Sequence, residues 1–154
     1  MNRLALAIGT WFGCGYFPWG PGTAGSIAAL ILAAFLRFEL HAGRGLLLLI
    51  TLLLLGPGIW AATRTARIMG KGDPGQVVVD EVLGQWITLA GVASLSWKSL
   101  LAGLVLFRLF DIWKPWPVRQ LEGLPEGVGI IADDVAAGIY GALILYIGEI
   151  ARLY

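Results

Sequence analysis

Histidine and cysteine are almost absent from this chain. His41 is the only histidine and Cys14 the only cysteine among its 154 residues. A lone cysteine cannot close an internal disulfide, and no Cys/His spacing for a zinc site exists. A lone histidine removes two-histidine metal sites, Ser-His-Asp triads and the commonest general base. Cys14, with no histidine to activate it, reads as a small apolar residue. Charge is scarce as well: 14% of residues are charged, against ~25% in soluble domains. The net charge of +1 leaves no electrostatic footprint for nucleic acid, which is excluded as a partner. No strand pattern competes with helix, since the run 76–79 is too short. There is no repeat, low-complexity tail or linker, so residues 1–154 are read as a single domain. Arg3 is followed by only a short apolar stretch before Gly9 and Thr10, which is not expected to act as a signal peptide.

What the chain does have is apolar surface. Hydrophobic residues make up 58% of it, and mean hydropathy is +0.79. Five apolar segments stand out, at 24–38, 46–62, 82–97, 100–113 and 135–150. The expected fold is all-α: a multi-helix membrane bundle of about five apolar helices, with a short interfacial helix or loops. Several segments are shorter than the ~20 residues that span a full hydrocarbon core, so local thinning of the bilayer would accompany them. A water-soluble bundle of unusually apolar helices is the alternative. The run 46–55 has no polar residue except Thr51 and favours the membrane. The first 23 residues, with Trp11, Phe12, Tyr16, Phe17 and Trp19, suit a membrane interface.

Helices that span a membrane alternate in direction, and that assigns sides to the charges. Arg3, Arg64, Arg67, Lys71, Lys114 and Arg119 fall on one side, with Arg108 a turn inside. Arg37, Arg44, Lys98 and Arg152 fall on the other. The basic excess makes the first side cytoplasmic. Asp73, Asp80, Glu81, Asp111, Glu122, Glu126, Asp133 and Asp134 all share that side, against Glu39 and Glu149 opposite.

Some of these acids have a plain explanation. Asp80-Glu81 and Asp133-Asp134 each precede an apolar segment, where carboxylates cap a helix and suit its dipole. Asp111 does not fit that account. Pro115 should end its helix, which puts Asp111 in a last turn whose dipole disfavours an anion. Arg108 and Lys114 lie three residues to either side. A local ion pair is one reading. The other is a carboxylate that ligates a cation and leaves the basic neighbours for a phosphate. Asp80, Glu81, Asp111, Asp133 and Asp134, without His or Cys, suit a hard cation such as Mg²⁺, Mn²⁺ or Ca²⁺. Arg108 and Lys114 supply phosphate-binding charge. Gly20-Pro21-Gly22-Thr23-Ala24-Gly25-Ser26 opens the first apolar helix, where backbone N–H groups and the Thr23 and Ser26 hydroxyls could meet an anion. An ordinary capped turn is the plainer reading. Together these are the parts of metal-assisted phosphoryl chemistry.

The same residues carry a resemblance. Pro21-Gly22-Thr23-Ala24-Gly25-Ser26, Val79-Asp80-Glu81 followed by Gly84 and Trp86-Ile87-Thr88, Phe107-Arg108 with Phe110-Asp111-Ile112-Trp113-Lys114-Pro115-Trp116-Pro117, and Gly129-Ile130 with Asp133-Asp134 and Ala137-Gly138 form four ordered blocks. In these the chain resembles the bacterial phosphatidylglycerophosphatase A family over nearly its whole length. The resemblance implies an all-helical, multi-pass enzyme of the bacterial inner membrane, a phosphoric monoester hydrolase with its site facing the cytoplasm. It implies an anionic phospholipid substrate: Mg²⁺-dependent hydrolysis of phosphatidylglycerophosphate to phosphatidylglycerol and inorganic phosphate. Histidines that some relatives carry near Lys71-Gly72-Asp73-Pro74 are absent here. The site expected is Asp80, Glu81, Asp111, Asp133 and Asp134 around metal and water, with Arg108, Lys114, Thr23 and Ser26 on the phosphate. A phosphatase for another phosphomonoester and a non-enzymatic cation-binding membrane protein are the competing functions.

Overall fold

A computed structural model describes residues 1–153. Seven α-helices follow one another: α1 (Asn2–Gly9), α2 (Pro21–Phe38), α3 (Arg44–Met69), α4 (Val79–Leu89), α5 (Trp97–Trp113), α6 (Val118–Leu121) and α7 (Glu126–Ile150). A single 3₁₀ turn, Cys14–Tyr16, lies between α1 and α2. No strand occurs among the described residues. The fold is an all-α membrane bundle. Helices α2, α3 and α7 are each long and apolar enough to cross a membrane.

Local sequence sets the helix ends. Helix α2 opens on Gly20 at φ 148°, with Pro21 in the first turn, where its missing N–H costs nothing. Helix α3 stops at Gly70, which takes a left-handed conformation at φ 67°. Helix α5 starts on a capping box in which Ser96 and Ser99 bond each other's backbone N–H. It ends at Trp113, with Lys114 left-handed just before Pro115, as the proline predicts.

Two helix boundaries differ from the sequence expectation, and both matter for the site. The segment 82–97 is not a span. Helix α4 ends at Leu89, and nine of its eleven residues are buried. At 1.5 Å per residue it is about 16 Å long, too short for a bilayer. Its apolarity instead reflects burial inside protein, since α7, α2, α3 and α5 all pack around it. The second difference is at α7, which begins at Glu126 rather than near Val135. Asp133 and Asp134 therefore sit about two turns inside a helix, beyond the reach of capping.

Small residues let α4 and α7 approach closely. A Cβ on Gly138 would sit 3.1 Å from the Gly84 Cα, and a Cβ on Gly84 would sit 2.6 Å from the Asp134 carbonyl oxygen. The Thr88 hydroxyl lies 3.0 Å from the Gly84 carbonyl and 3.2 Å from that of Gly138, a polar tie of the kind that holds helices together in lipid. Trp86 adds a second tie, donating its indole N–H to the Ala29 carbonyl at 2.9 Å. The outside of the bundle is apolar: Ile27, Ile31, Phe35, Leu52, Leu53, Val105, Ile112, Leu143 and Ile147 are all exposed. Apolar outside and carboxylates inside is the arrangement a lipid solvent favours.

A carboxylate cluster at one end of the bundle

Several helix termini converge at one end. Gly22, in the first turn of α2, lies against Glu81 in the first turn of α4 and against Arg108 near the end of α5. A Cβ at Gly22 would collide with the Glu81 carboxylate and come within 3.0 Å of Arg108 Nη1. The absent side chain at Gly22 leaves that space to the carboxylate and the guanidinium. The start of α7 joins the same end through an exposed ion pair between Arg67 and Glu126, and the Gly127 N–H donates to the Thr63 hydroxyl at 3.0 Å.

At the centre stand Asp80, Glu81 and Asp134, each offering a carboxylate oxygen within 4.8 Å of the others. Asp80 is 8% exposed and Asp134 3%. Asp80 Oδ1, Glu81 Oε2 and Asp134 Oδ2 are buried without a hydrogen-bond partner. Crowded buried carboxylates with bare oxygens are costly unless something positive joins them. The donors are all oxygen, which is the preference of a hard divalent cation. Asp80, Glu81 and Asp134 are thus suited to hold a metal ion.

Basic residues border the cluster. Arg108 Nη1 is 2.6 Å from Asp111 Oδ2 and 3.7 Å from Glu81 Oε1, while its Nε is buried and unpaired. Asp111 also lies against Asp134. The local ion pair considered for Asp111 is therefore present, and it is part of the cluster rather than an alternative to it. Adjacent residues on a helix point about 100° apart, and Asp133 accordingly turns away from Asp134. Its Oδ2 accepts from Lys114 at 2.7 Å, and Lys114 also meets Glu122 at 3.4 Å. Burial disfavours the charged Lys114 ammonium. The Asp133 hydrogen bond and the nearby carboxylates outweigh that, and its pKa rises. Lys114 is thus occupied by carboxylates rather than left open for phosphate.

The two hydroxyls diverge. Thr23 is exposed in the first turn of α2 and lines an apolar groove together with Arg108. Ser26 is fully buried, and its hydroxyl donates to the Gly22 carbonyl at 3.0 Å on its own helix. Two residues outside the expected site belong to its surroundings. Gly22 makes room for Glu81 and Arg108. Asp73, in the loop after α3, has an exposed side; the protein packed around its carboxyl raises its pKa, and the Lys114 charge works against that rise. Asp73 also lines a cavity of about 550 Å³ with Arg67, Lys71, Glu122 and Glu126. That cavity adjoins the Lys114 side of the site, and Asp80, Glu81 and Asp134 do not line it. Helix alternation puts Asp73 on the side of the site, but a lone acid in a loop carries no further signal in sequence, and its place beside Lys114 comes from the fold.

Fold and site together define a class: an all-helical membrane bundle whose buried carboxylates meet an arginine at one end. Comparison with known sequences narrows it. The family model described as phosphatidylglycerophosphatase A matches residues 7–149. Phosphatidylglycerophosphatase A of Escherichia coli (strain K12) is 41% identical over 145 residues, covering 92% of this chain and 80% of that protein. The Haemophilus influenzae protein of the same name is 42% identical over 142 residues, 92% of this chain and 85% of that one. A Bacteroides thetaiotaomicron protein named "Putative phosphatidylinositol-3-phosphatase" is 40% identical over 150 residues, 95% and 94% of the two chains. No solved structure matches. The chain belongs to the phosphatidylglycerophosphatase A family, and it is a phosphatase.

Proposed function

We propose that this enzyme hydrolyses phosphatidylglycerophosphate to phosphatidylglycerol and inorganic phosphate with the help of Mg²⁺. The observation that carries the reading is the trio Asp80, Glu81 and Asp134, with bare buried oxygens gathered within 4.8 Å beside Arg108. These three would hold the cation. Bound there, it would supply charge to the phosphoryl oxygens and lower the pKa of a water nucleophile.

The chain's own residues do the rest. Arg108 binds phosphoryl oxygens, since its Nε is unpaired in a buried position and a guanidinium matches phosphate geometry. Asp111 fixes the direction of Arg108 through the 2.6 Å bond. Lys114 neutralises Asp133 and keeps that carboxylate from adding repulsion to the substrate's charge. Thr23 and the N–H groups of the first turn of α2 lie next to Gly22, which borders Glu81 and Arg108, and a helix N-terminus favours an anion. The basic residues at this end, Arg64, Arg67, Lys71 and Arg119 among them, outnumber those at the other. That supports a multi-pass protein of the bacterial inner membrane with its site on the cytoplasmic face.

The test is phosphate release from phosphatidylglycerophosphate by the purified protein in detergent, with chelator and then with Mg²⁺ restored. Activity lost and regained supports the reading. Full activity in chelator removes the metal from it, and no release under any metal removes the substrate. The Bacteroides relative, named for a different lipid phosphomonoester and similar over nearly its whole length, favours one rival substrate class. Competition between phosphatidylglycerophosphate and phosphatidylinositol 3-phosphate in the same assay ranks the two.

A further inference from the structure

Helix α5 presents a continuous apolar stripe to the outside. Leu101, Val105, Leu109 and Ile112 are spaced four, four and three residues apart, and each is half-exposed or more. Spacings of three and four place them on one face. Between this stripe and the start of α2 lies a groove of about 670 Å³, lined by Thr23, Leu104, Val105, Leu109, Ile112 and Trp113, with Arg108 at its wall. Its size falls in the range of a small-ligand pocket, about 300–1,000 Å³.

Apolar grooves are common on a lipid-facing surface, so the charge is the informative part. A groove formed by Phe110, Trp116, Tyr140 and Leu143 has no charged residue in its lining. Neither does one formed by Leu55, Ile59, Val135 and Ile139. The α2–α5 groove carries Arg108, the same side chain that meets Glu81 and Asp111 in the carboxylate cluster. Arg108 thus lines the groove while its Nη1 meets the carboxylates of the site. A molecule that fits both has an apolar chain attached to an anionic head.

Resting on the lipid-phosphatase reading above, we propose that the α2–α5 groove seats one acyl chain of the phospholipid substrate and delivers its phosphate to Arg108. The chain lies along Val105, Leu109 and Ile112 and remains in contact with the bilayer through the open side of the groove. The glycerol backbone then passes Thr23, an exposed residue that lines the groove together with Arg108. Substrate reaches the carboxylates sideways from the lipid, and phosphate leaves toward water. The cavity around Arg67, Lys71 and Asp73 is lined by five charged residues, among them Glu122 and Glu126, and does not include Arg108.

The experiment compares phosphatidylglycerophosphate with the same headgroup stripped of its acyl chains, using purified full-length protein in mixed micelles. Wild type should favour the acylated substrate in kcat/KM. Leu109→Trp and Val105→Trp fill the groove and should each lower the ratio of acylated to deacylated kcat/KM about tenfold, about 1.4 kcal/mol. Ile139→Trp, equally bulky on an apolar groove without charge, should leave the ratio unchanged. A photoreactive acyl chain should crosslink to residues of α5 and α2. An unchanged ratio in Leu109→Trp, crosslinks confined to α7, or equal turnover of both substrates by wild type overturns the groove while the phosphatase reading stands. A changed oligomeric mass in Leu109→Trp identifies the stripe as an interface between copies and also overturns it. A wild-type protein that releases no phosphate from phosphatidylglycerophosphate overturns both readings.

Discussion

Asp111 and Asp134 make different demands on the site, and substitution should separate them. Asp111 holds Arg108 at 2.6 Å, so Asp111→Asn loosens the group proposed to bind phosphate. Loss of one such preorganised group costs about 100- to 1,000-fold in kcat, and steady-state phosphate release should show a fall of that order with the protein still folded. Asp134 is one of three crowded carboxylates. In the absence of metal, Asp134→Asn relieves repulsion and should raise the thermal midpoint. In Mg²⁺ the wild type should gain stability by mass action, and the variant should gain little. A melting series with and without Mg²⁺ reads both effects, and an equal Mg²⁺ response in the two proteins would remove Asp134 from the metal site. Gly22 tests the fit from the other side. A methyl there displaces the flexible end of Glu81 rather than backbone, so Gly22→Ala should cost at most about 1 kcal/mol in stability. Because misplacing a catalytic group by about 1 Å can cost ~100-fold, its activity should fall far more than its melting point suggests.

Helix α4 is the element on which the site depends. It brings Asp80 and Glu81 into the bundle, and its position is set by the contact of Gly84 with α7. Gly138→Ala forces a methyl against the Gly84 carbonyl and Cα, backbone atoms that cannot swing aside. Overpacking of this kind costs about 1–3 kcal/mol and moves α4 relative to Asp134, so stability and activity should fall together in detergent melts and assays. Gly56 in α3 is the contrast. A Cβ there meets nothing within 4 Å, and Gly56→Ala should be neutral or stabilising by up to about 1 kcal/mol. A destabilised Gly56→Ala would mean that the outer face of α3 is covered.

At the scale of the whole molecule the charges sort by end. Glu149, at the far end of α7, accepts backbone N–H groups of Ala93 and Ser94 and so caps the loop after α4. It is structural, while the acids at the other end are drawn together. The two ends should face opposite sides of the membrane. With Cys14→Ser removing the native thiol, cysteines introduced singly at His41 and Gly123, both exposed, should react with a membrane-impermeant reagent from opposite sides of sealed vesicles. Labelling of both from one side would rule out the alternating topology.

Much of this was legible in the sequence because its causes are local. Apolar runs bounded by Gly, Pro and charge predict the helices, Pro115 predicts the end of α5, and alternation of helices gathers the acids at one end without any coordinates. Asp111 was already marked as an acid that capping cannot explain. The four motif blocks also pointed to the phosphatidylglycerophosphatase A family, which the comparisons bear out. Other features were out of reach. Periodicity cannot distinguish a helix buried in protein from one buried in lipid, so α4 read as a span until its neighbours were known. The start of α7 was hidden because Gly127 and Gly129 look like loop residues, yet the first fits against α3 and the second against the Leu124 carbonyl. The partners of each charge depend on contacts between distant helices, as with Lys114 and Asp133, and the bond of Ser26 to its own helix depends on a rotamer. The sequence by itself determined an apolar all-helical chain with its carboxylates at one end, because pattern, breakers and charge act within a few residues. Only the tertiary structure decided that Asp80, Glu81 and Asp134 share one centre beside Arg108, because that depends on how closely α2, α4, α5 and α7 pack.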